Sequence, residues 1–216
     1  MGTLNENGAA LICIPDISGF TKFMAENDIE FSRKIIPPLL RTIVNANSIN
    51  MIVGEIEGDA VVFYRFGVLP PLTDLIRQCQ DFYDKFNESL KDLMDEYVDN
   101  FHKSMSSEKL SVKVVCHAAE ITSTEIEGIT KLIGEDMVVV HKLLKNSITE
   151  MEYILLTEKL LDCYTEEAKQ IAMSGYTIRN GKDVYEHIGT IKYSYMSFKS
   201  ANQVANDTMP ASEPES

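Results

Sequence analysis

The sequence lacks the long apolar runs, the basic excess and the paired cysteines that would assign it to several common protein classes. No window approaches the roughly 20 consecutive apolar residues that a membrane span requires. The opening residues, "MGTLNENGAA", contain no basic region followed by an apolar core, so they do not resemble a secretory signal. We therefore expect a cytoplasmic protein that does not enter a membrane.

Basic residues are outnumbered in this chain. Lysines and arginines number 20 against 33 aspartates and glutamates, which gives a formal net charge of −13. The acidic surplus is spread along the sequence rather than collected in one block. Nucleic acids and anionic membranes attract proteins mainly through basic surfaces. The composition therefore argues against nucleic acid or a membrane surface as a partner.

The four cysteines form no C-x-x-C pair and lie far apart in the sequence. Zinc sites and redox-active disulfides usually place two cysteines within a few residues of each other. Most of the four also lie in apolar segments. We therefore predict buried free thiols, rather than disulfides or a zinc site, for Cys13, Cys79, Cys116 and Cys163.

The length and composition suit one domain with a sizeable core, since the chain has 216 residues of which 44% are hydrophobic. We divide it into a flexible N-terminus over residues 1–8, a folded domain over 9–199 and a disordered tail over 200–216. The tail is polar, rich in small residues and contains proline, which is typical of disorder. Helical and strand-like segments alternate without internal repeats, so the expected class is α/β or α+β with one main sheet.

Two short apolar segments predict strands that end near aspartates. The run "AALICIPDI" is apolar on both faces and ends at Asp16, which is typical of a central strand. The segment "INMIVGEIEGDAVVFYRF" has apolar residues on both sides of Gly58 and Asp59, which predicts a hairpin with its turn at these two residues. The pair Asn180 and Gly181 likewise predicts a tight turn between the last two strands.

Helical periodicity places the longest elements. Apolar residues at three- and four-residue steps predict a helix from Thr73 to about Phe101 and another from residue 29 to about residue 47. Pro37 and Pro38 lie inside the second of these. We expect them to kink or restart it, because proline lacks the amide hydrogen and clashes with the preceding turn.

The two strand-end aspartates are candidates for a metal site. Carboxylate oxygens suit Mg²⁺ or Mn²⁺, and the backbone amides of Gly19, Phe20 and Thr21 would open a helix whose N-terminus favours a phosphate. Together these features point to a nucleoside triphosphate with its metal ions. Taken singly, however, a strand-terminal aspartate such as Asp16 or Asp59 is more often a helix cap or a turn former. The residues alone leave both interpretations open.

Four sequence motifs follow one another along the chain: "DISGFTKF", "EIEGDAVVFY", "VKVVCHAAEI" and "LIGEDMVVVHKLL". In this order they resemble the catalytic domain of the class III nucleotidyl cyclases, over roughly residues 9 to 160. The first two blocks carry that family's Asp-Ile-x-Gly-Phe-Thr turn and Gly-Asp hairpin, whereas the last two are degraded. The chain also resembles a group of uncharacterised bacterial proteins described as a domain of unknown function, a divergent cyclase branch.

The resemblance implies a fold, a partner and a reaction. The fold would be an α+β, ferredoxin-like palm with a mainly antiparallel sheet and helices packed on it. It would act as a head-to-tail homodimer, or as a heterodimer, with the nucleotide at the interface. Asp16 and Asp59 would hold Mg²⁺ or Mn²⁺ with the Ile17 carbonyl as a further ligand. The reaction would convert a nucleoside triphosphate to a 3′,5′-cyclic nucleotide and pyrophosphate.

The resemblance assigns the selection of the base to Glu55 and Lys131. The position of Glu55 carries lysine in the adenylyl enzymes and glutamate in the guanylyl enzymes. A carboxylate can accept from the N1–H and amino group of guanine, and an ammonium can donate to its O6. GTP therefore fits better than ATP, although a glutamate and a lysine could also satisfy adenine. An ordinary strand glutamate and a solvated lysine remain the alternative.

The residues that the family uses in the transition state are changed. Its asparagine aligns with Val138 and its arginine with Lys142, which keeps a positive charge but lacks the planar fork that suits phosphate. Loss of one preorganised polar contact costs about 100- to 1000-fold in rate. An active enzyme would need Lys142 together with Lys145 or Asn146. The sequence thus leaves two functions open: a slow cyclase, or an inactive module that binds metal or nucleotide as a dimeric regulatory scaffold.

Four polar residues near these blocks have simpler interpretations. His117 lies in an apolar strand, which is typical of a hydrogen-bonded core or cleft residue. His141 occupies a position where the family prefers a small residue, so it is placed to face a partner chain. Neither is predicted to bind a metal. Ser18 and Thr21 are expected to cap the following helix, since no Ser-His-Asp order supports hydrolase chemistry.

Overall fold

The structure, a computed structural model, describes residues 6–103 and 110–198. Its strands are β1 (Asn7–Ser18), β2 (Ile52–Glu57), β3 (Ala60–Phe66), β4 (Ser111–Ile126), β5 (Ile129–Ile133), β6 (Ile154–Thr157), β7 (Arg179–Tyr185) and β8 (Gly189–Met196). Its helices are α1 (Phe20–Glu26), α2 (Ile29–Asn45), α3 (Leu72–Glu96), α4 (Val98–Lys103), α5 (Glu135–Leu143), α6 (Glu158–Leu161) and α7 (Glu166–Ala172).

The strands form a single mixed sheet in the order β2-β3-β1-β4-β6-β8-β7, with β5 paired to β4. Only the β4–β6 pair is parallel among the strand pairs of the described residues. Strand β1 lies between β3 and β4 and is buried from Ala10 to Ser18. The predicted central strand is therefore confirmed, and so is the predicted hairpin, which turns at Gly58 and Asp59.

The sheet separates two hydrophobic cores because successive side chains of a strand point to opposite faces. Leu11 and Cys13 of β1 join the larger core, which includes α2 and α3, whereas Ile12 joins a smaller core with α5. Phe63 of β3 and Phe82 of α3 stack in the larger core with their ring centroids 5.3 Å apart. Burial of each such side chain contributes about 1.5–3 kcal/mol.

Helix α2 corrects one expectation from the sequence. It continues through Pro37 and Pro38, so of the kink or restart expected there, the restart does not occur. A proline inside a helix costs about 3 kcal/mol. Buried residues on both sides of the prolines, including Ile35 and Leu39, pack into the same core. Their burial offsets the lost backbone hydrogen bonds.

The long helix predicted to reach Phe101 ends earlier. Helix α3 stops at Glu96, Tyr97 leaves the helical conformation with φ −114° and ψ 38°, and α4 then begins at Val98. After this break the ring of Phe101 lies 5.1 Å from that of Phe31. The apolar spacing therefore identified the residues that pack against the core, with Tyr97 and Phe101 only partly buried, but it did not reveal the break between the two helices.

The predicted turn at Asn180 and Gly181 is wrong. Both residues lie within β7, and the chain turns between Tyr185 and Gly189 instead. A Cβ atom on Gly181 would lie 2.4 Å from the ring of Tyr193, so this glycine serves the close approach of an aromatic side chain. The real turn uses His187, whose φ of 68° is in the left-handed region.

The folded domain begins slightly earlier than the sequence predicts. Strand β1 begins at Asn7, two residues before the domain start expected at residue 9. The predicted disordered tail over 200–216 lies outside the described residues. Within the described ranges, none of the helices combines the length and apolar character needed to cross a membrane.

Candidate functional site

The end of β1 brings two aspartates together. Asp16 is paired with Ala60 across the β1–β3 ladder, and the amide of Ile17 donates to the carbonyl oxygen of Asp59 at 3.0 Å. The β2–β3 turn is thereby held against the end of β1. Asp16 is only 6% exposed and Asp59 is half-buried. The two residues predicted to share a metal site are neighbours, and their role as ligands stays a prediction.

The electrostatics of this pair suit a cation. Burial and the nearby carboxylate of Asp16 raise the pKa of Asp59 to about 6. Lys113 of β4 is directly opposite Asp16 of β1, and its ammonium lies 3.0 Å from Asp16 Oδ2. One ammonium against two carboxylates leaves a net negative charge in a poorly solvated place. The charge and the hard oxygen donors, to which the Ile17 carbonyl could add, fit Mg²⁺ or Mn²⁺.

The residues predicted to select the base also meet. Lys131 Nζ on β5 donates to Glu55 Oε2 on β2 at 2.8 Å. Glu55 is opposite Val62, as Asp16 is opposite Ala60, and residues directly opposite each other share a face of the sheet. Val62 and Ala60 belong to the same hydrophobic cluster. The side chains of Glu55 and Asp16 therefore lie on one face, the face that carries α5, and Lys131 joins them through its ion pair with Glu55.

A second acidic side chain and a histidine adjoin the base-selecting pair. His141 Nδ1 on α5 lies 3.6 Å from Glu57 Oε2. The ligand atoms of Glu55, Glu57 and His141 all lie within 4.8 Å of one another, and the three residues are partly or fully exposed. This arrangement places His141 beside the predicted base site. Lys131 already neutralises Glu55, so the group differs from a purely acidic cluster.

The predicted phosphate-binding turn follows β1. Gly19 has φ 80° and ψ −3°, a left-handed conformation that glycine adopts without strain, and it precedes α1. Phe20 is half-buried and Thr21 is exposed. No side chain caps α1, and the hydroxyl of Ser18 donates instead to the carbonyl oxygen of Met151 at 2.7 Å. The expected capping by Ser18 and Thr21 is therefore wrong.

Helix α5 carries the two residues that replace the family's transition-state pair. Val138 is 50% exposed, and Lys142 is also exposed. They are four residues apart, so they lie on the same side of the helix. Both side chains are therefore accessible from solvent, but only Lys142 offers a polar group.

Asn146, the other predicted catalytic residue, is occupied by local structure. Its side-chain amide donates to the carbonyl oxygen of Leu143 at 2.6 Å and to the hydroxyl of Tyr153 at 2.8 Å. Its Oδ1 accepts from the amide of Ile148 at 2.9 Å. Asn146 thus stabilises the chain that leaves α5. A catalytic role would require it to give up these hydrogen bonds.

His117 connects β4 to α5 and β6 through both ring nitrogens. Nε2 lies 2.9 Å from Asp136 Oδ1, and Nδ1 lies 2.9 Å from Thr157 Oγ1. A carboxylate only accepts, so Nε2 donates and Nδ1 accepts from the threonine hydroxyl. Burial lowers the pKa of His117, which favours the neutral ring. The expected hydrogen-bonded core or cleft histidine is confirmed.

Asp136 is a residue that the sequence reasoning missed. Lys159 Nζ donates to its two oxygens at 2.8 and 2.7 Å, and the amide of Glu120 donates to Oδ2 at 2.6 Å. Burial opposes ionisation, but these hydrogen bonds and that of His117 lower the pKa of Asp136. With Thr157 and His117 it lines a pocket of about 310 Å³. An acidic residue in a helix's first turn is common, so nothing in the sequence marked it.

Solved cyclase structures share this architecture. The adenylyl cyclase CyaB from P. aeruginosa matches with a TM-score of 0.65 and 14% identity, over 92% of this chain and 97% of that one. The guanylyl cyclase Cya2 matches with a TM-score of 0.65 and 12% identity, over 91% and 96%. The catalytic core of a rhodopsin-guanylyl cyclase with converted specificity, in complex with ATPalphaS, has a TM-score of 0.62 and 10% identity, over 90% and 98%. At such identities the likeness shows the fold, and the predicted α+β cyclase palm is confirmed.

Sequence comparison places the chain among uncharacterised proteins. It is 25% identical over 134 residues to the uncharacterized protein Rv2561/Rv2562 of Mycobacterium tuberculosis (strain ATCC 25618 / H37Rv), and the match spans 62% of each chain. Less than two thirds of that relative is therefore covered. Residues 36–153 match the family described as protein of unknown function, DUF2652. The chain belongs to the DUF2652 family, and its domain has the fold of the class III adenylyl and guanylyl cyclases.

Proposed function

We propose that this protein is a metal-dependent nucleotidyl cyclase, a phosphorus–oxygen lyase that forms a 3′,5′-cyclic nucleotide and pyrophosphate, with GTP favoured over ATP. The observation that carries the proposal is the contact between Asp16 and Asp59 at the end of β1, on the face that also carries Glu55, the ion-pair partner of Lys131. Two carboxylates this close repel each other unless a cation or a proton joins them. Mg²⁺ or Mn²⁺ held there would stabilise the charge of the triphosphate.

The chain's own side chains would position the rest of the nucleotide. Glu55 would accept from guanine and Lys131 would donate to it, so binding would replace their mutual ion pair of 2.8 Å. Both partners are partly exposed, and such pairs are weak enough to open. The amides of Gly19, Phe20 and Thr21 would face the phosphates. Lys142 would add positive charge from α5.

The proposal includes a second copy of the chain. Apolar side chains are exposed on the elements that carry the predicted site residues, with Ile56 of β2 at 51%, Ile133 of β5 at 50% and Val138 of α5 at 50%. Burial of such a surface in a homodimer would complete a nucleotide site between two chains. In a heterodimer the partner could supply the asparagine and arginine that this chain lacks. The cytoplasmic location stays a prediction from the sequence.

A second candidate function is a module that binds metal and nucleotide without turning it over. Val138 has no polar group, and the hydrogen-bonding groups of Asn146 are engaged elsewhere. These two facts favour a regulatory or scaffold role on the same fold. Both candidate functions use Asp16 and Asp59 to bind metal. They differ in whether Val138, Lys142 and Asn146 allow catalysis.

The test is incubation of the purified protein with each of the four ribonucleoside triphosphates and Mn²⁺, followed by separation of the products. Wild type should form a cyclic nucleotide, most rapidly from GTP, and Asp16→Asn should lose at least about 100-fold in rate. Asp92→Asn, an exposed aspartate on α3, is the matched control and should keep full activity.

The outcomes separate the two candidates. Absence of a cyclic product from all four nucleotides, with stabilisation of wild type but not of Asp16→Asn by Mn²⁺ and a non-hydrolysable triphosphate, would establish the binding module instead. Equal product from wild type and Asp16→Asn would assign the activity to a contaminant. A monomer at micromolar concentration in sedimentation would contradict the dimer in both versions.

A further inference from the structure

Three cysteine thiols meet in the larger core, on the opposite face of the sheet from Asp16. Cys13 of β1 is directly opposite Cys116 of β4, and Cys79 of α3 packs over them. The Sγ atom of Cys116 lies 3.6 Å from that of Cys13 and 3.6 Å from that of Cys79, and all three lie within 4.8 Å of one another. All three residues are 0% exposed. We propose that they form a site for a soft, thiophilic ion held by three sulfur atoms.

The spacing of the sulfur atoms suits such an ion. An ion about 2.3 Å from each sulfur separates neighbouring sulfurs by about 3.4 Å in a pyramidal arrangement and by about 3.8 Å in a tetrahedral one. The two distances of 3.6 Å lie between these values. A disulfide, with its bond of about 2.05 Å, would need a larger movement and would use only two of the three thiols. An ion would use all three.

The surroundings favour a complex without net charge. The thiolate is the form of cysteine that binds a metal, and three thiolates carry a total charge of −3. The three cysteines belong to a core of hydrophobic side chains, in which a net charge is costly. A trivalent thiophile such as As(III) gives a neutral complex. Zn²⁺ would leave a negative charge and would require a fourth ligand, whereas the cluster in the described residues has three.

The binding step conserves atoms and needs no oxidant. Arsenous acid, As(OH)₃, would exchange three As–O bonds for three As–S bonds, and its hydroxyl groups would leave as three waters with the thiol protons. The oxidation state of arsenic would not change.

This site is independent of the proposed cyclase activity. Cys13 and Asp16 lie on opposite faces of β1, and the ion would contact no residue of the nucleotide site. Failure of one proposal therefore leaves the other standing. The readouts below measure the ion and the stability of the fold, and neither depends on turnover.

The experiment loads the full chain with arsenite while it refolds from denaturant in a thiol-free reductant, because a closed core would otherwise shield the thiols. Native mass spectrometry then counts bound arsenic, and thermal unfolding reports stabilisation. Wild type should gain the mass of one arsenic atom less three protons, and its melting temperature should rise. Cys163→Ala, which removes the exposed fourth cysteine, is the matched control and should behave in the same way.

Removal of one core thiol should abolish both effects. Cys79→Ala should bind no arsenic at protein-equivalent concentration, and Cys79→Val serves the same purpose if the smaller residue prevents folding. Uptake of one arsenic by folded Cys79→Val, with the stabilisation of wild type, would overturn the proposal. Absence of uptake by wild type would overturn it without any variant.

Discussion

The ammonium of Lys113 lies 3.0 Å from Asp16 Oδ2 and donates to the carbonyl oxygen of Leu144 at 2.9 Å. Lys113 thereby joins β4, the end of β1 and the end of α5 at one point. It also stands where it competes with a divalent cation for Asp16. This relationship makes the site testable by stability as well as by activity.

Replacement of Lys113 by methionine should leave the carboxylate of Asp16 without its charged partner. The side chain of Asp16 is 8% exposed and that of Lys113 is 20% exposed, so we expect a loss of about 2 kcal/mol in the free energy of unfolding. Mn²⁺ should restore more stability to Lys113→Met than to wild type, since the competing ammonium is gone. Urea denaturation with and without Mn²⁺ measures both effects. An equal response to Mn²⁺ in the two proteins would show that the ion binds elsewhere.

Asp59→Asn should change how stability depends on pH. The folded pKa of about 6 is above the ordinary value for aspartate, so the folded state holds the proton longer than the unfolded chain. Stability from this group is therefore present at low pH and is lost as pH rises between about 4 and 6. Asp59→Asn should be more stable than wild type above this window, by about 1 kcal/mol after allowance for solvent screening. Urea denaturation of both proteins across the window gives the difference, which should vanish toward its acidic end.

His117→Asn should make the protein less sensitive to acid. Burial lowers the pKa of His117, so the unfolded chain takes up a proton below about pH 6.5 that the folded chain resists. Wild type should therefore lose stability through this group as pH falls below that value. The asparagine amide keeps a polar group near Thr157 but loses the hydrogen bond to Asp136. This loss should lower the free energy of unfolding by about 1 kcal/mol at neutral pH. A stability difference that stays constant from pH 7.5 to about 5.5 would contradict this assignment.

Exchange of the charges of Glu55 and Lys131 should test the base preference. The double variant Glu55→Lys/Lys131→Glu keeps an ion pair between β2 and β5 while it reverses donor and acceptor positions. We expect the ratio of GTP to ATP use, or of their binding, to fall at least about tenfold. Glu55→Lys alone would place two ammonium groups together. It is the control for loss of the ion pair between Glu55 and Lys131. An unchanged ratio in the stably folded double variant would place the base elsewhere.

Restoration of the family's transition-state residues should raise the rate of a slow cyclase. Val138→Asn/Lys142→Arg returns a hydrogen-bonding side chain and a planar, bidentate cation to the exposed side of α5. The expected gain is about 100-fold in cyclic product, with little change in stability because both positions face solvent. Lys142→Met is the opposite control and should lower the rate. A double variant no faster than wild type would mean that α5 does not face the reacting phosphate.

Much of the fold was predictable because its signals are local. The apolar run before Asp16 and the hairpin at Gly58 and Asp59 follow from short-range alternation, and the structure contains both. The turn expected at Asn180 and Gly181 is absent. Gly181 is needed instead for a long-range contact, because the Tyr193 ring packs where a Cβ atom would lie. A glycine looks the same in sequence whether it turns a chain or makes room for a neighbour.

The sequence indicated candidate residues for the site, but it did not indicate the contacts that these residues make. The sequence indicated Asp16 and Asp59 as a pair, and the structure brings them together. It did not indicate Lys113 as the partner of Asp16 or Asp136 as the partner of His117. These contacts depend on how β1 and β4 are registered and on where α5 packs, and neither is encoded in local spacing.

The sequence by itself predicted four buried free thiols, which is correct for Cys13, Cys79 and Cys116 but wrong for Cys163, which is exposed. It also placed the three buried cysteines in three separate elements. Only the tertiary structure decided that the three sulfurs meet. The register of β1 on β4 puts Cys13 opposite Cys116, and the packing of α3 on the sheet adds Cys79. Hydrophobic periodicity selects which side chains are buried, but strand register and helix packing select which buried side chains touch.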